Sequence, residues 1–366
     1  MKVPFLDVGS SYRELKPQID TAISRVLDSG CYILGTEVNA FEEEWAQYCE
    51  AKYAVGLGSG LDALVLALRS LDVGPGDEVI VPSHTYIATW MAVTAVGAIP
   101  VPVEPNPKTY NIDPKMIAAS ITKKTKVFLL VHLYGQPVNI DPIFTLANQH
   151  GIKIVEDAAQ AHGARYKGHR IGAHGHLVCW SFYPGKNLGA FGDAGAITTN
   201  DSDLAERIAL LRNYGSIKKY FNKEVGMNSR LDPLQAAVLR VKLKFLDIWT
   251  ERRCAIANTY NKKLINSGLI LPHVSEWADP VWHLYVVRSS VRDKLHKRLT
   301  ESGIETLIHY PIPPHMQEAY ESLGIAPEAL PLAKDMSEEV LSLPIGPYLD
   351  DEEVIFIISE IIKKTN

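Results

Sequence analysis

The sequence has few cysteines, and their spacing shows no pairing. The 366 residues include four cysteines, which are scattered and argue against both a disulfide framework and a zinc knuckle. Residues 1–13 mix acids, bases and prolines without an apolar run, so neither a signal peptide nor a membrane anchor is predicted there. We therefore expect a cytoplasmic protein with no membrane partner.

The chain also lacks an excess of basic residues. Its formal net charge is -5, whereas nucleic-acid-binding proteins usually carry a basic surface that releases phosphate counterions. We expect no nucleic-acid partner, and an anionic ligand must meet a local basic patch. A hydrophobic fraction of 46% and a charged fraction of 22% are typical of a globular protein with one large domain or two unequal ones.

Short apolar runs alternate with amphipathic stretches between residues 54 and 200. This alternation predicts an α/β fold with a largely parallel sheet. The predicted strands are 53–56, 78–81, 99–103, 127–131, 153–156, 178–182 and 196–199. The predicted helices are 61–71, 86–96, 114–120 and 142–150, each bounded by Gly, Pro or Asp.

A long helix is predicted from Asp232 to about Leu264, with Asp232 as its cap and Pro233 in its first turn. Beyond it the pattern predicts a strand at 282–288, a helix at 292–302 and a closing amphipathic helix at 352–364. We therefore predict a large domain of residues 1–247 and a smaller C-terminal α+β domain of residues 248–366.

A glycine-rich segment, Gly56-Leu57-Gly58-Ser59-Gly60-Leu61, follows a predicted strand and opens a helix. Backbone N–H groups at a helix start, together with the helix dipole, favour a bound phosphate. Read as a dinucleotide-binding fingerprint, the segment has Leu61 where the third glycine belongs. A plain glycine-rich turn is the alternative interpretation.

Two further segments place reactive groups after predicted strands. Asp157 follows an apolar strand, and ligands in open α/β sheets bind beyond such strand ends; a helix N-cap is the alternative. Lys186 lies in a glycine-rich loop, where burial can lower its pKa as a nucleophilic amine requires; a surface lysine is the alternative. A phosphate cradle, a strand-end carboxylate and a lysine are together what pyridoxal 5'-phosphate (PLP) requires.

In their order along the chain, these segments resemble the DegT/DnrJ/StrS sugar aminotransferases. The resemblance extends from Pro4-Phe5-Leu6-Asp7 through Tyr32-Ile33-Leu34-Gly35 to His309-Tyr310-Pro311. It implies the α/β fold of type I PLP-dependent transferases, which is aspartate aminotransferase-like, with a mostly parallel mixed sheet flanked by helices. It also implies PLP as cofactor, L-glutamate as amino donor and a nucleotide-linked keto-sugar as substrate.

The resemblance also implies roles for individual residues. Lys186 would hold PLP as an imine and move the proton, and Asp157 would pair with the pyridine nitrogen. Tyr86 would stack on the ring, although core packing is an alternative, and Gln160, one helical turn after Asp157, would contact the ring hydroxyl. The remaining expected cofactor contacts are Gly60, Leu61, Ser181 and Asn228.

Asn228 would reach the phosphate from the neighbouring subunit, since it lies in the segment Gly226-Met227-Asn228-Ser229-Arg230. The enzyme would then be a homodimer with two shared active sites. The residues expected to bind substrate are Tyr183, Lys219, Arg230, His309 and Tyr310. The basic run 212–223 could attract the diphosphate, or it could be a solvated basic face.

The ending Gly192-Asp193-Ala194-Gly195-Ala196, and Tyr183-Pro184-Gly185 before the lysine, resemble enzymes that act on 3-keto-sugars. We expect a dTDP-linked 3-keto-6-deoxyhexose as substrate and a 3-amino-3,6-dideoxy sugar as product. The alternatives are a 4-keto-sugar aminotransferase of the same family, a nucleotide-binding oxidoreductase and a non-catalytic PLP-binding regulator. Lys186 argues against a related sugar dehydratase, because such relatives carry histidine there.

A histidine group consisting of His162, His169, His174 and His176 raises the question of a metal site. No carboxylate or cysteine completes a ligand set. Residues 166–172 are instead predicted to form a hairpin with a polar tip, and we expect no metal.

Overall fold

The computed structural model describes residues 1–363, which form fourteen strands within that range. The strands are β1 (Tyr53–Leu57), β2 (Glu78–Pro82), β3 (Ile99–Val103), β4 (Thr125–Val131), β5 (Lys153–Asp157), β6 (Arg165–Tyr166), β7 (His169–Arg170), β8 (Leu177–Ser181), β9 (Gly195–Thr199), β10 (Ser216–Lys218), β11 (Phe221–Asn222), β12 (Ala278–Asp279), β13 (Tyr285–Arg288) and β14 (Val340–Leu343).

Twelve α-helices and four short 3-10 helices complete this part of the chain. The α-helices are α1 (Ser10–Ser29), α2 (Thr36–Tyr48), α3 (Gly60–Ser70), α4 (Ala88–Ala95), α5 (Pro114–Ser120), α6 (Ile140–His150), α7 (Ser202–Leu211), α8 (Pro233–Leu243), α9 (Leu246–Lys263), α10 (Arg292–Glu301), α11 (Pro331–Glu339) and α12 (Asp351–Ile362). The 3-10 helices are Leu133–Gly135, Pro314–Met316, Glu318–Leu323 and Pro327–Ala329. None of the helices described is long and apolar enough to cross a bilayer.

A seven-stranded mixed sheet lies at the centre, in the order β1-β9-β8-β5-β4-β2-β3. The run from β8 to β3 is parallel, and β9 is antiparallel to both of its neighbours. Successive residues of β4 show why its apolar run is continuous. Leu129 packs in the cluster that includes α3 and α4, whereas Phe128 and Leu130 pack in the cluster that includes α5 and α6. Helices therefore cover both faces, which confirms the predicted fold class.

The seven predicted strands of the sheet are confirmed within about two residues at each end. The predicted helix at 86–96 begins two residues later, at Ala88, and leaves Tyr86 in the preceding loop. The predicted hairpin is confirmed, because β6 and β7 pair antiparallel. Its tip residues Lys167 and Gly168 have φ values of 50° and 83°, which a type I' turn requires.

The prediction of one continuous helix after Asp232 is wrong. The structure has two helices, α8 and α9, separated by a turn at residues 244–245, where Phe245 departs from ideal helical values with φ -110° and ψ -3°. Phe245 and Trp249 pack with Leu15 of α1, and this tertiary packing overrides helix propensity. Asp232 stands at the helix start, but its side chain makes no capping hydrogen bond.

The C-terminal part has its own two-stranded sheet, β13 with β14, packed with α9, α10 and α12 around Tyr260 and Tyr285. The strand predicted at 282–288 begins later, at Tyr285, and the helices predicted at 292–302 and 352–364 correspond to α10 and α12. Residues 364–366 lie outside the described residues. The predicted boundary after residue 247 falls at the second residue of α9, and the division into two domains stays a prediction.

Candidate active site

A cavity of about 1080 Å³ opens beyond the carboxyl ends of β4, β5 and β8 and at the start of α3. Parallel strands end at one edge of the sheet, so their terminal residues lie together there. Ten sequence-predicted site residues line the cavity: Gly60, Leu61, Tyr86, Asp157, Gln160, Ser181, Tyr183, Lys186, His309 and Tyr310.

The start of α3 forms one end of this cavity. The Ser59 side chain caps the helix by accepting a hydrogen bond from the backbone N–H of Asp62 at 3.1 Å. The N–H groups of Gly60 and Leu61 have no acceptor within the helix, because they belong to its first turn. A Cβ at Gly60 would lie 2.6 Å from Cβ of Ser181, so the hydroxyl-bearing side chain lies directly beside these amides. The arrangement can hold an anion.

Asp157 is buried at the end of β5. Its Oδ1 accepts from the backbone N–H of Ala159 at 3.1 Å and its Oδ2 from Oγ1 of Thr89 at 3.1 Å. Burial raises the pKa of this carboxyl. The N-cap interpretation is wrong, because residues 158–164 form turns; Gln160 likewise lies in a turn, not one helical turn after Asp157.

Lys186 is partly buried in the loop after β8 and lines the cavity, so it is not an exposed surface lysine. Within residues 1–363 its ammonium makes no ion pair. Burial lowers the pKa of Lys186 to about 8, against the opposing charge of Asp157. The loop is fixed by Asn187, whose Nδ2 donates to the carbonyl of Val281 at 3.0 Å and whose Oδ1 lies 3.2 Å from Nδ1 of His283.

Gln160 joins two walls of the cavity. Its Oε1 accepts from the backbone N–H of Tyr134 at 2.7 Å, and its Nε2 donates to the Tyr310 hydroxyl at 3.1 Å. Burial raises the pKa of Tyr310, so the phenol is neutral. The Tyr310 ring lies 5.5 Å from the ring of Tyr86 at an angle of 37°. Because Tyr86 is 55% exposed, its core-packing interpretation is wrong.

His309 lines the cavity beside Tyr310, and its Nδ1 lies 2.8 Å from Oγ of Ser342. Burial and the charge of Lys186 lower the pKa of His309 to about 4, which keeps the imidazole neutral. His283 is neutral for the same reasons, since burial holds its pKa well below 6.5. Neither imidazole can therefore supply a positive charge near pH 7.

Three predicted site residues do not line this cavity. Lys219 is exposed between β10 and β11. Asn228 pairs with Asn213 in an isolated bridge, and Arg230 donates from Nη1 to Oδ1 of Asn213 at 2.9 Å. Within the basic run, Arg212 is buried and donates to the carbonyl of Gly56 at 2.7 Å, so the run is not wholly a solvated face.

The structure also places on the cavity wall residues that the sequence interpretation missed, among them Arg253, His283, His296 and Thr306. All four come from the C-terminal part and carry no motif in the sequence. Thr89, which is bonded to Asp157, was missed because α4 reads only as an apolar helix. Asn187, which fixes the loop of Lys186, was also missed, and its position next to Lys186 is the signal that could have identified it.

The histidine group is dispersed. His162 is buried against the rings of Trp45, Trp180 and Phe182, and His169 lies in the exposed hairpin. In the part of the chain that the structure describes, no three His, Cys, Asp or Glu side chains are grouped to hold a metal ion.

The chain is 53% identical over 361 residues to a Streptomyces venezuelae protein named dTDP-3-amino-3,4,6-trideoxy-alpha-D-glucose transaminase, covering 98% of this chain and 95% of the relative. It is 51% identical over 352 residues to dTDP-3-amino-3,6-dideoxy-alpha-D-galactopyranose transaminase of Aneurinibacillus thermoaerophilus, covering 96% of each.

Solved structures agree with the sequence relatives. The crystal structure of S. venezuelae DesV in complex with a ketimine intermediate matches with a TM-score of 0.97 and 53% identity, over 99% of this chain and 98% of that one. The PLP-form of the sugar aminotransferase Spr1654 from Streptococcus pneumoniae matches with a TM-score of 0.89 and 29% identity, over 94% and 95%. These matches confirm the type I PLP-dependent transferase fold.

The family model described as DegT/DnrJ/EryC1/StrS aminotransferase matches residues 13–362. The predicted resemblance is thereby confirmed, and the chain belongs to the DegT/DnrJ/EryC1/StrS aminotransferase family.

Proposed function

We propose that this aminotransferase uses PLP to transfer an amino group from L-glutamate to a dTDP-linked 3-keto-6-deoxyhexose, forming a 3-amino-3,6-dideoxy sugar. The observation that carries the proposal is that the start of α3, Asp157 and Lys186 line the same cavity. The names of the two relatives, both dTDP-3-amino-sugar transaminases, favour amination at C3 over C4. A cytoplasmic site of action is part of the same proposal.

The residues of the cavity fit PLP. The free amides of α3 suit the phosphate, and Asp157, which accepts two hydrogen bonds from Ala159 and Thr89, suits a protonated ring nitrogen. When bound, PLP supplies a carbonyl that accepts amines and a ring that takes up electrons. The Tyr86 ring, exposed in the cavity, suits stacking on that ring.

Lys186 acts as the base of the site. With a pKa of about 8, its amine is neutral in an appreciable fraction of molecules near pH 7–8, as proton transfer from the amino donor's Cα requires. His309 and His283 have pKa values too low for this role. One side chain therefore serves for anchoring the cofactor and for moving the proton.

The positions of the three predicted site residues that do not line the cavity, Lys219, Asn228 and Arg230, support a homodimer with shared sites. They lie on or after the β10–β11 hairpin, whose apolar side chains are exposed: Ile217 by 70% and Tyr220 by 84%. An exposed apolar surface of this kind is typical of a protein–protein contact. In the proposed dimer, the partner subunit's Asn228 reaches the phosphate, and Lys219 and Arg230 approach the substrate's diphosphate.

Mixed dimers test this sharing. We expect Lys186→Ala and Asn228→Asp each to be inactive alone, the second because its charge repels the phosphate. Co-refolded in equal amounts, they should recover about one quarter of wild-type turnover, because half the dimers are mixed and each has one intact site. If Asn228 served the site of its own subunit, the mixture would stay inactive.

Gly195→Ala should weaken cofactor binding. The new Cβ would lie 2.3 Å from the carbonyl oxygen of Ser59 and 2.9 Å from the nitrogen of Gly60, so the start of α3 must shift. We expect PLP affinity to fall by about tenfold or more and the free energy of unfolding by about 1–3 kcal/mol, measured by absorbance titration and urea unfolding. Gly74→Ala is the control, because its Cβ meets its nearest atom at 3.9 Å.

The direct test of the proposed function is turnover. Purified enzyme with PLP and L-glutamate is given dTDP-3-keto-6-deoxyhexoses of gluco and galacto configuration and, separately, a dTDP-4-keto-6-deoxyhexose, and 2-oxoglutarate is measured. Activity with the 3-keto-sugars alone supports the proposal, whereas activity with the 4-keto-sugar alone assigns amination to C4. A PLP absorbance band without turnover of any keto-sugar would point to a regulator.

A further inference from the structure

Arg253 is a buried cation on the wall of the active-site cavity. It lies on α9, is only 5% exposed, and lines the cavity together with Lys186. Its Nη1 donates to the carbonyl oxygens of Trp282 at 3.1 Å and Ile345 at 3.0 Å. Both acceptors are neutral, so neither balances the charge of the guanidinium.

The other donors of Arg253 are not satisfied by the protein. Within residues 1–363 no carboxylate forms an ion pair with it, Nη2 makes no hydrogen bond, and Nε is fully buried without a partner. Burial lowers the pKa of Arg253 to about 10, which leaves the side chain charged near pH 7. A buried charge without a counterion is unfavourable, and a guanidinium with free donors on a cavity wall is suited to an anionic ligand.

Trp282 and His283 connect Arg253 to the loop that carries the lysine, because Arg253 donates to the carbonyl of Trp282 and His283 is the next residue in the chain. Its Nδ1 is 3.2 Å from Oδ1 of Asn187, the residue next to Lys186. Burial lowers the pKa of His283, and the charges of Lys186 and Arg253 lower it further. An anion bound by Arg253 would therefore lie in the cavity that His283 and Lys186 also line.

We propose that Arg253 binds a carboxylate of the amino donor, L-glutamate, and of 2-oxoglutarate in the reverse direction. The inference rests on the proposed function. The α-carboxylate is attached to the carbon that carries the reacting amine, so it must lie near Lys186 whenever that amine does. The free Nη2 of Arg253 can donate to a carboxylate oxygen in a charge-assisted hydrogen bond. The diphosphate of the sugar nucleotide has its own proposed partners, Lys219 and Arg230.

The competing explanation is that Arg253 only cross-links the fold. Its two carbonyl bonds join α9 to the segments before β13 and after β14, and their loss would lower stability. A purely structural role would change both half-reactions alike, whereas a carboxylate site would change only the half-reaction of the amino acid. The two explanations therefore differ in which substrate loses affinity.

The test uses the PLP-loaded enzyme in single-turnover absorbance experiments. Wild type and Arg253→Gln are titrated with L-glutamate, and their amino-loaded forms are titrated with 2-oxoglutarate and with the dTDP-keto-sugar. We expect Arg253→Gln to raise the half-saturating concentrations of L-glutamate and 2-oxoglutarate by about 10–100-fold, with less than about a threefold change for the sugar. Arg252→Gln is the matched control, because Arg252 is exposed and paired with Glu14 at 3.1 Å.

L-Glutamine as donor separates the two carboxylates. If Arg253→Gln loses affinity equally for L-glutamine and L-glutamate, Arg253 binds the α-carboxylate. If the variant loses affinity for L-glutamate alone, Arg253 binds the side-chain carboxylate. Arg253→Lys, which keeps the charge, should recover part of the affinity and serves as well if Arg253→Gln does not fold. Unchanged donor affinity, or an equal loss for donor and sugar, would overturn the inference. If the PLP absorbance band of the wild-type enzyme did not change on addition of L-glutamate, the result would instead contradict the proposed function.

Discussion

Replacing Lys186 with alanine is expected to reduce amino transfer by more than about 10⁴-fold, because under the proposed function the variant loses the anchoring amine and the proton carrier together. The neutral neighbours His283 and His309 cannot take over, since burial keeps their pKa values far below 7. The absorbance spectrum with added PLP checks the first role: wild type should show the near-visible band of lysine-linked cofactor, which L-glutamate bleaches, and the variant should not.

Lys153→Ala provides the control for this variant. Lys153 begins β5, the strand that ends at Asp157, and it is exposed away from the cavity. Its loss should leave the spectrum and the turnover unchanged. Added methylamine should restore part of the proton transfer in Lys186→Ala by acting as a free base. A Lys186→Ala enzyme that retained the glutamate-responsive band would show that another lysine carries the cofactor.

The central sheet could be predicted from the sequence because its strands are apolar on both faces. In β4, Val127 and Leu129 face one helical layer while Phe128 and Leu130 face the other, so the run is continuous and unlike an amphipathic helix. The break between α8 and α9 could not be predicted, since it depends on Phe245 packing with residues of α1. Helices α1 and α2 were not predicted at all.

The same distinction applies to the site. Asp157 and Lys186 follow strands, and sheet topology alone brings such strand ends to one edge. Arg253 and His283 reach the cavity only through the packing of the C-terminal part onto that edge, and no local pattern marks them. For Asn228, the sequence resemblance predicts that the residue serves the site of a second subunit, and for Lys219 and Arg230 it predicts contacts with the substrate.

Asp157→Asn is expected to lower turnover by about 10²–10³-fold while PLP still binds. The amide is isosteric and can still accept from the backbone N–H of Ala159, so the cavity keeps its shape. What the variant loses is the negative charge that the proposed function assigns to the ring nitrogen of PLP, and fixed charges of this kind contribute about this much to catalysis. The near-visible band should therefore persist, and its bleaching by L-glutamate should become slow.

Glu156→Gln distinguishes that charge effect from a general loss of structure. Glu156 precedes Asp157 on β5 but faces away from the cavity, where its Oε2 lies 2.8 Å from Nε2 of His132, and both side chains are fully buried. The substitution should reduce the free energy of unfolding by about 1–3 kcal/mol without slowing the bleaching. If Glu156→Gln slowed the reaction as much as Asp157→Asn, the effect would belong to the end of β5 as a whole, and the charge of Asp157 would have no special part in amino transfer.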